Sequence, residues 1–389
     1  MTRVFALQAQ AIRRRNEAVA KTSILWLQGR GFYLAMSDII SKNVSFLRNV
    51  FSKGPFQGHA FCCSPKGVSA VDCPEGDFTI SQAPVDNWVP WVVDHHARMV
   101  KMLEAVGDDG VPYGRINTGT HIFAAAFGCP VHTMEDDAPF ALPMVSSVAE
   151  AEAVKEPDLW KSPTLYRVFE LAEKVTHELG PEAHITGPDM QSGFDIASLI
   201  WNKEDMFCAM LTDPEAVMNL AGKAARLFKT FLTEYRGAFP QACPCHCPEV
   251  WTPPEMGPWM SNDECGSFST SNFETFCLPE LVDLAETFGG LGMHCCADAE
   301  HQFDSFKKIP NFYGFNRVAA KQGYQSLLEY FDDETGPVHV LAWIEEEDIT
   351  RLIQEAVPGV RFVFNLIEDD VEVAKAWYDK MRTHSLRTD

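Results

Sequence analysis

A histidine and two cysteines close a short apolar run in the last third of the chain. Residues 289–296 read Gly-Gly-Leu-Gly-Met-His-Cys-Cys. If the run is a strand, His294 and Cys296 project to the same side, because side chains alternate along an extended backbone. Imidazole and thiolate are zinc ligands, and a catalytic zinc has three protein ligands and one open position. The run therefore predicts part of a zinc site. The alternative is a buried histidine beside unreactive thiols.

Carboxylates in two other loops could also take part in chemistry. Asp189 follows Gly187-Pro188, where the chain must bend, so its carboxylate is either catalytic or caps the next helix. Asp263 follows a loop rich in tryptophan and proline, where a role in a pocket competes with a solvated loop. We predict Asp189 and Asp263 as catalytic residues. Contacts to a bound ligand or cofactor are expected from Gln191, Trp259 and Asn316.

Cysteine usage favours thiol or metal chemistry over disulfides. The chain has twelve cysteines, several of them adjacent or alternating, as in Cys243, Cys245 and Cys247. The alternating trio lacks the Cys-x2-Cys spacing of a structural zinc site, although Pro244 and Pro248 could hold it extended with all three thiols on one side. For each cysteine, a small buried apolar role is the alternative.

The charge balance restricts the classes of partner. The 389 residues are 46% apolar and carry 54 acidic against 32 basic side chains, a formal charge of −22. The electrostatic field of so negative a chain repels nucleic acid and anionic membranes, so small molecules or a basic protein are the favoured partners. No apolar run of about 18 residues and no signal peptide is evident. We therefore predict a cytoplasmic protein without nucleic-acid or membrane partners.

Apolar runs alternate with helical patterns along most of the chain. Residues 1–50 are predicted to form an N-terminal helical extension, and residues 51–389 a catalytic domain. Alternation implies parallel strands, because each crossover needs a helix. We predict a (β/α)8 TIM barrel, in which the loops after the strands gather at one face. A doubly wound open sheet is the alternative. About eight strand candidates support the barrel: residues 59–63, 119–127, 184–189, 241–247, 291–296, 312–316, 338–344 and 360–366.

Three motifs follow one another in the second half of the chain: Ser261-Asn262-Asp263-Glu264, a helix with Phe-x-x-Phe-x-x-Pro over residues 273–279, and Gly292-Met293-His294-Cys295-Cys296. In this order they resemble the uroporphyrinogen decarboxylase superfamily, and most closely its cobamide-dependent methyltransferase branch. Residues 185–201 and 213–215 are similar to the middle section of the same family. The resemblance covers about residues 110–380. It implies a (β/α)8 barrel in which His-x-Cys and a second cysteine near the C-terminus hold zinc.

One ligand of that set has no counterpart, because no cysteine follows Cys296. Either the site is altered or another loop supplies the third ligand, with Cys247, Cys265 or Glu135 as candidates. The resemblance implies a methyltransferase that moves a methyl group between a cobamide carried by a partner corrinoid protein and a small-molecule acceptor or donor such as a thiol. Zinc on His294 and Cys296 would lower the pKa of that thiol.

Two other functions are compatible with the sequence. One is a carboxy-lyase like uroporphyrinogen decarboxylase, with Asp189 as the charged group beneath the substrate. The arginine-rich N-terminal segment of that branch has no convincing match, since residues 28–32 read Gln-Gly-Arg-Gly-Phe. The other is a barrel that binds a corrinoid or another small molecule without catalysis.

Overall fold

Parallel strands form the centre of the structure. The computed structural model describes residues 30–67, 76–134, 138–248, 250–318, 323–333 and 335–388. Its strands are β1 (Ala60–Ser64), β2 (Val131–His132), β3 (Phe140–Ala141), β4 (Ile185–Thr186), β5 (Ala242–Cys243), β6 (Trp259–Ser261), β7 (Leu291–Cys295), β8 (Phe312–Arg317), β9 (Val338–Ala342) and β10 (Phe362–Ile367). Six of them form one sheet in the order β1, β10, β9, β8, β7, β6. Every neighbouring pair in this sheet is parallel.

Further parallel pairing continues the sheet from β6 towards β1. Strands β4 and β5 form a parallel pair. Gly114 bridges to Ile185 in β4, and Gln191, just beyond β4, bridges to Ser261 in β6. This arrangement of parallel strands with helices between them confirms the predicted TIM-barrel class, and it brings the carboxyl ends of the strands to one face. Strands β2 and β3 form a separate antiparallel hairpin.

Helices connect the strands and cover the outside of the sheet. None of the helices in the described segments is both long and apolar enough to cross a lipid bilayer. The α-helices are α1 (Arg30–Phe51), α2 (Val89–Val106), α3 (Ile122–Phe127), α4 (Val148–Ala153), α5 (Pro163–Leu179), α6 (Gly193–Ile200), α7 (Lys203–Thr212), α8 (Pro214–Ala238), α9 (Thr270–Phe276), α10 (Leu278–Phe288), α11 (Phe303–Phe306), α12 (Gln325–Tyr330), α13 (Glu346–Glu355) and α14 (Val371–Arg382).

The last turns of α1 pack against the amino-terminal ends of the strands. Phe46, Leu47, Val50 and Phe51 are buried, and they join the apolar cluster that contains the inward-facing residues of β1, β9 and β10. Burying this apolar stripe removes it from water, which is the main stabilisation available to a helix outside the sheet. The domain boundary at residue 50 stays a prediction, and the first 29 residues lie outside the described ranges.

Trp259 fills the interior of the barrel below the strand ends. Its side chain is fully buried, and its indole N–H donates to the carbonyl oxygen of Cys247 at 2.9 Å. A Cβ added at Gly292 would lie 2.0 Å from Trp259 Cε3, and one at Gly314 would lie 2.4 Å from Cζ3. The two glycines, on neighbouring strands β7 and β8, therefore provide the space that the indole occupies.

Three local predictions were wrong. Residues 119–127 are not a strand, because Ile122–Phe127 forms helix α3, whose apolar residues pack on one side of the barrel wall. The three-residue strand β6 was hidden in a proline-rich segment that resembled a loop. The helix expected over residues 273–279 is not continuous, because α9 ends at Phe276 and Pro279, in the first turn of α10, lacks the N–H that a continuous helix requires.

Candidate functional site

Three side chains with potential metal-ligand atoms meet where β6 and β7 end. The ligand atoms of Asp263, His294 and Cys296 all lie within 4.8 Å of one another. Within the described segments, no other set of three or more His, Cys, Asp or Glu side chains is grouped so closely. His294 is buried, Asp263 is half-buried and Cys296 is exposed. The group therefore offers one nitrogen, one oxygen and one sulfur donor, with solvent access on the side of the thiol.

The register of two parallel strands brings these residues together. Ser261 in β6 pairs with His294 in β7. Two residues further along each chain come Asp263 and Cys296, so these also lie side by side. The N–H of Cys296 donates to Asp263 Oδ1 at 2.7 Å, which fixes the carboxylate beside the thiol. Cys295, between the two predicted ligands, points to the opposite side and is buried in the core outside the barrel.

Asn316 on β8 determines which nitrogen of His294 faces the other ligands. Its Nδ2 donates to the carbonyl oxygen of Val340 at 2.6 Å, so its Oδ1 must face His294. That oxygen lies 2.6 Å from His294 Nδ1 and can only accept, so Nδ1 carries the proton. The lone pair is therefore on Nε2. In a metal-binding histidine, the ring nitrogen that does not bind the metal, here Nδ1, typically donates a hydrogen bond of this kind.

Burial and negative charge act on the thiol of Cys296. Partial desolvation of its sulfur is the largest cause that raises its pKa, and the charge of Asp263 and a side-chain hydrogen bond to it raise the pKa further, to about 12. Without a cation the group therefore holds a neutral thiol beside a carboxylate. A bound cation would reverse this preference, because metals bind the thiolate.

A buried carboxylate positions the loop that carries Asp263. Asp195 in α6 accepts the N–H of Asp263 at 2.7 Å and that of Glu264 at 3.4 Å. Its own position is set by the N-cap of α6, where Ser192 Oγ accepts the N–H of Asp195 at 3.1 Å. Asp195 was not predicted, although the Ser-x-x-Asp pattern before an apolar helix is a recognisable sign of a helix start.

A second polar cluster lines a cavity in the barrel mouth. The cavity measures about 130 Å³ and is lined by residues 115–117, 186–189 and 246–248 and by Trp343. Asp189 and His246 both face it, with Asp189 Oδ1 3.7 Å from His246 Nδ1. His246 was not predicted. Its place between Cys245 and Cys247 was considered only for metal binding.

Charges of the two clusters influence each other. The pKa of Asp189 is raised to about 7 by burial and by the charge of Asp263, against the lowering effect of Arg115. The pKa of His246 is lowered to about 3 by burial, then by the charges of His294 and Arg115. Asp189 and His246 in the cavity are therefore close enough to the group of three for their charges to interact, although none of the three side chains lines the cavity.

Two of the cysteines predicted as metal ligands, Cys247 and Cys265, do not join the group of three. Cys265 is buried, its thiol donates to the carbonyl oxygen of Asn262 at 3.0 Å, and its sulfur lies 3.8 Å from that of Cys295. Cys247 lines the cavity. Glu135 lies outside the described residues. The third position beside His294 is instead taken by Asp263, which was predicted as a catalytic residue and not as a ligand.

The residues predicted to contact a ligand or cofactor have different surroundings. Gln191 is buried next to β6 and its Oε1 has no hydrogen-bond partner. Trp259 lies in the barrel interior, and both polar atoms of the Asn316 side chain are paired with protein atoms. Asn316 thus orients His294. That Gln191, Trp259 or Asn316 contacts a cofactor stays a prediction.

Comparison with known proteins finds a family model that matches part of the chain and solved structures that share its fold. The family model for uroporphyrinogen decarboxylase (URO-D) matches residues 101–246, which include Asp189 and end before the three ligands. Among solved structures, a methyltransferase from Methanosarcina mazei is similar with a TM-score of 0.61 and 14% sequence identity, over 88% of this chain and 98% of that chain. No protein with a curated description matches the chain. The family match and the shared fold confirm the resemblance of this chain to the uroporphyrinogen decarboxylase superfamily.

Proposed function

We propose that the protein is a metal-assisted methyltransferase that moves a methyl group between a cobamide on a partner corrinoid protein and a small thiol or similar small molecule. The observation that carries the proposal is the grouping of Asp263, His294 and Cys296 within 4.8 Å at the strand ends. Three donors of this type, with a fourth position open, fit a catalytic zinc. The methyltransferase from Methanosarcina mazei that shares the fold is consistent with this reading.

The residues of the chain have separate roles in this proposal. Zinc, when bound, would act as a Lewis acid that lowers the pKa of an acceptor thiol. Asn316 holds His294 so that Nε2 can bind the ion, and the Cys296 N–H holds the Asp263 carboxylate in place. Because Cys296 has a pKa of about 12 in the absence of a cation, metal binding must release its proton. Metal affinity should therefore fall as the pH falls.

The size of the cavity bears on where a cobamide could bind. Sites for drug-sized ligands measure roughly 300–1,000 Å³, whereas the cavity beside the ligands measures about 130 Å³. A corrinoid ring does not fit inside it, but a small thiol does. This supports a cobamide that stays on a partner protein and approaches the strand ends from outside.

Metal analysis with matched variants tests the proposal. After zinc loading and desalting, the wild type should hold about one zinc per chain. His294→Ala, Cys296→Ser and Asp263→Asn should lose most of it. Cys208→Ser is the control, because Cys208 is an exposed cysteine outside the site. Zinc-loaded wild type should then transfer the methyl group of methylcobalamin to 2-mercaptoethanol. A wild type that binds no zinc, or equal zinc loss in Cys208→Ser, would refute the proposal.

A carboxy-lyase is the second candidate, favoured by the family match over residues 101–246 and by the buried carboxyl of Asp189 within it. Such an activity would need no metal. Decarboxylation of a tetrapyrrole carboxylate that survives removal of zinc by a chelator would support it. A barrel that binds a corrinoid without catalysis would instead retain ligand binding and show neither methyl transfer nor decarboxylation.

A further inference from the structure

We propose that the carboxylate of Asp189 accepts the proton that the acceptor thiol loses when it binds at the site, and that His246 is the positioning residue for this carboxylate. The inference rests on the proposed function, because it concerns the same acceptor. It adds a proton acceptor to a site in which Asp263, His294 and Cys296 supply only the ligands.

The geometry of the cavity supports a direct role for Asp189. Its Oδ1 is buried and has no hydrogen-bond partner, although the side chain as a whole is 27% exposed towards the cavity. An unpaired buried carboxylate oxygen is costly, so Oδ1 needs a partner within the protein, while the exposed part of the carboxylate, at Oδ2, faces the cavity where a ligand can reach it. The backbone of Asp189 is fixed, since its N–H donates to Thr118 Oγ1 at 3.0 Å.

His246 is placed to hold Asp189. Its side chain is only 5% exposed, and its Nδ1 lies 3.7 Å from Asp189 Oδ1. Contacts of this length in a ligand-free site commonly shorten to hydrogen bonds when the ligand binds. Its Nε2 is buried without a partner, so the ring has the capacity for one more contact in the cavity.

The charged groups around Asp189 suit a proton acceptor that works near neutral pH. Burial and then the charge of Asp263 raise its pKa, Arg115 lowers it, and the resulting value without a bound cation is about 7. His246 has a pKa of about 3 and is therefore neutral above that value. A base whose pKa lies near the working pH combines a large ionised fraction with a useful basicity. His246, by the same reasoning, is too weak a base for this role.

The proposed step balances. The S–H bond of the acceptor breaks, an O–H bond forms on Asp189 Oδ2, and the electron pair of the S–H bond stays on sulfur. The thiolate would then be available to a metal ion held by Asp263, His294 and Cys296. The proton leaves Asp189 to solvent through the open side of the cavity before the next turnover.

Thiol ligation to cobalt(II)-substituted protein tests the step without any methyl transfer. Binding of thiolate sulfur gives a charge-transfer absorption band, whose rate of appearance can be followed by stopped flow. With 2-mercaptoethanol at pH 7, Asp189→Asn should be slower than the wild type by about a hundredfold, a typical contribution of a general base. His246→Ala should be about tenfold slower, and His246→Gln should recover part of that loss because an amide can still bond the carboxylate.

A second probe separates proton transfer from a structural effect. Thioacetate is ionised at neutral pH and has no proton to lose, so Asp189→Asn should bind it as fast as the wild type does. Asp205→Asn, a change at an exposed carboxylate in α7, is the control and should match the wild type with both probes. Equal slowing with thioacetate and 2-mercaptoethanol, or an unchanged rate in Asp189→Asn, would overturn the proposal.

The outcomes distinguish this inference from the proposed function. Ligation that depends on Asp189, together with absence of methyl transfer from methylcobalamin, would refute the methyltransferase and retain the proton acceptor. Methyl transfer from methylcobalamin, together with thiol ligation that does not depend on Asp189, would support the methyltransferase and refute the proton acceptor. If the cobalt-loaded wild type bound no thiol at all, both would be refuted.

Discussion

The hydrogen bond from His294 to Asn316 should control metal affinity. Asn316→Ala removes the acceptor 2.6 Å from His294 Nδ1 and the donor 2.6 Å from the Val340 carbonyl. Loss of the partner that orients a metal-binding histidine typically costs about 10–100-fold in affinity. A factor of 10–100 corresponds to about 1.4–2.8 kcal/mol of binding free energy. The same change should lower the free energy of unfolding of the metal-free protein by about 2–6 kcal/mol, because each of two buried groups left unpaired costs roughly 1–3 kcal/mol.

Competition for zinc against a chromophoric chelator measures the affinity, and urea unfolding measures the stability. Asn316→Asp separates the two effects. It keeps an oxygen for His294 but places a second acceptor against the Val340 carbonyl, so affinity should be retained while stability falls. Asn365→Ala is the matched control: Asn365 is another buried amide on β10, whose Oδ1 accepts from Ser64 Oγ at 3.1 Å. It should lose stability and keep zinc affinity. The reasoning fails if Asn316→Ala binds zinc as tightly as Asn365→Ala.

Two further predictions concern stability. Gly292→Ala places a Cβ 2.0 Å from Trp259 and should lower the free energy of unfolding, measured in urea, by about 1–3 kcal/mol through overpacking. Gly237→Ala is the control, because Gly237 lies in α8 with no atom within 4 Å of the added Cβ, and it should be neutral or stabilising by up to about 1 kcal/mol. Equal losses of stability in the two variants would contradict the packing argument. His339 is fully buried with a pKa lowered from 6.5 to about 3, so as the pH falls from 6.5 to 3 the unfolded chain takes up a proton that the folded chain does not, and stability is lost. His339→Leu should therefore reduce the pH slope of the free energy of unfolding between pH 6 and 4 by about 1.4 kcal/mol per pH unit, and a variant that keeps the wild-type slope would show that His339 does not titrate in this way.

The sequence alone determined the class of fold and two of the three candidate ligands. Alternating apolar runs and helical patterns predicted the parallel barrel, because these periodicities are local properties of the chain. The same reasoning located β7 through β10 within a few residues. It failed for β6, since a strand of three residues next to Pro258 has no periodicity to detect. His294 and Cys296 are two apart in sequence, so their proximity needs only an extended backbone.

Only the tertiary structure decided what completes the site. Asp263 is more than thirty residues from Cys296 and becomes its neighbour through the pairing of Ser261 with His294. Asn316 and the pair of Asp189 with His246 likewise depend on which strands are adjacent and how they are aligned. Shifting a strand by one residue would turn each of these side chains to the opposite face of the sheet. Residue types could therefore identify the candidates, while the roles proposed for them as ligand, orienting residue or proton acceptor depend on the register of the folded barrel.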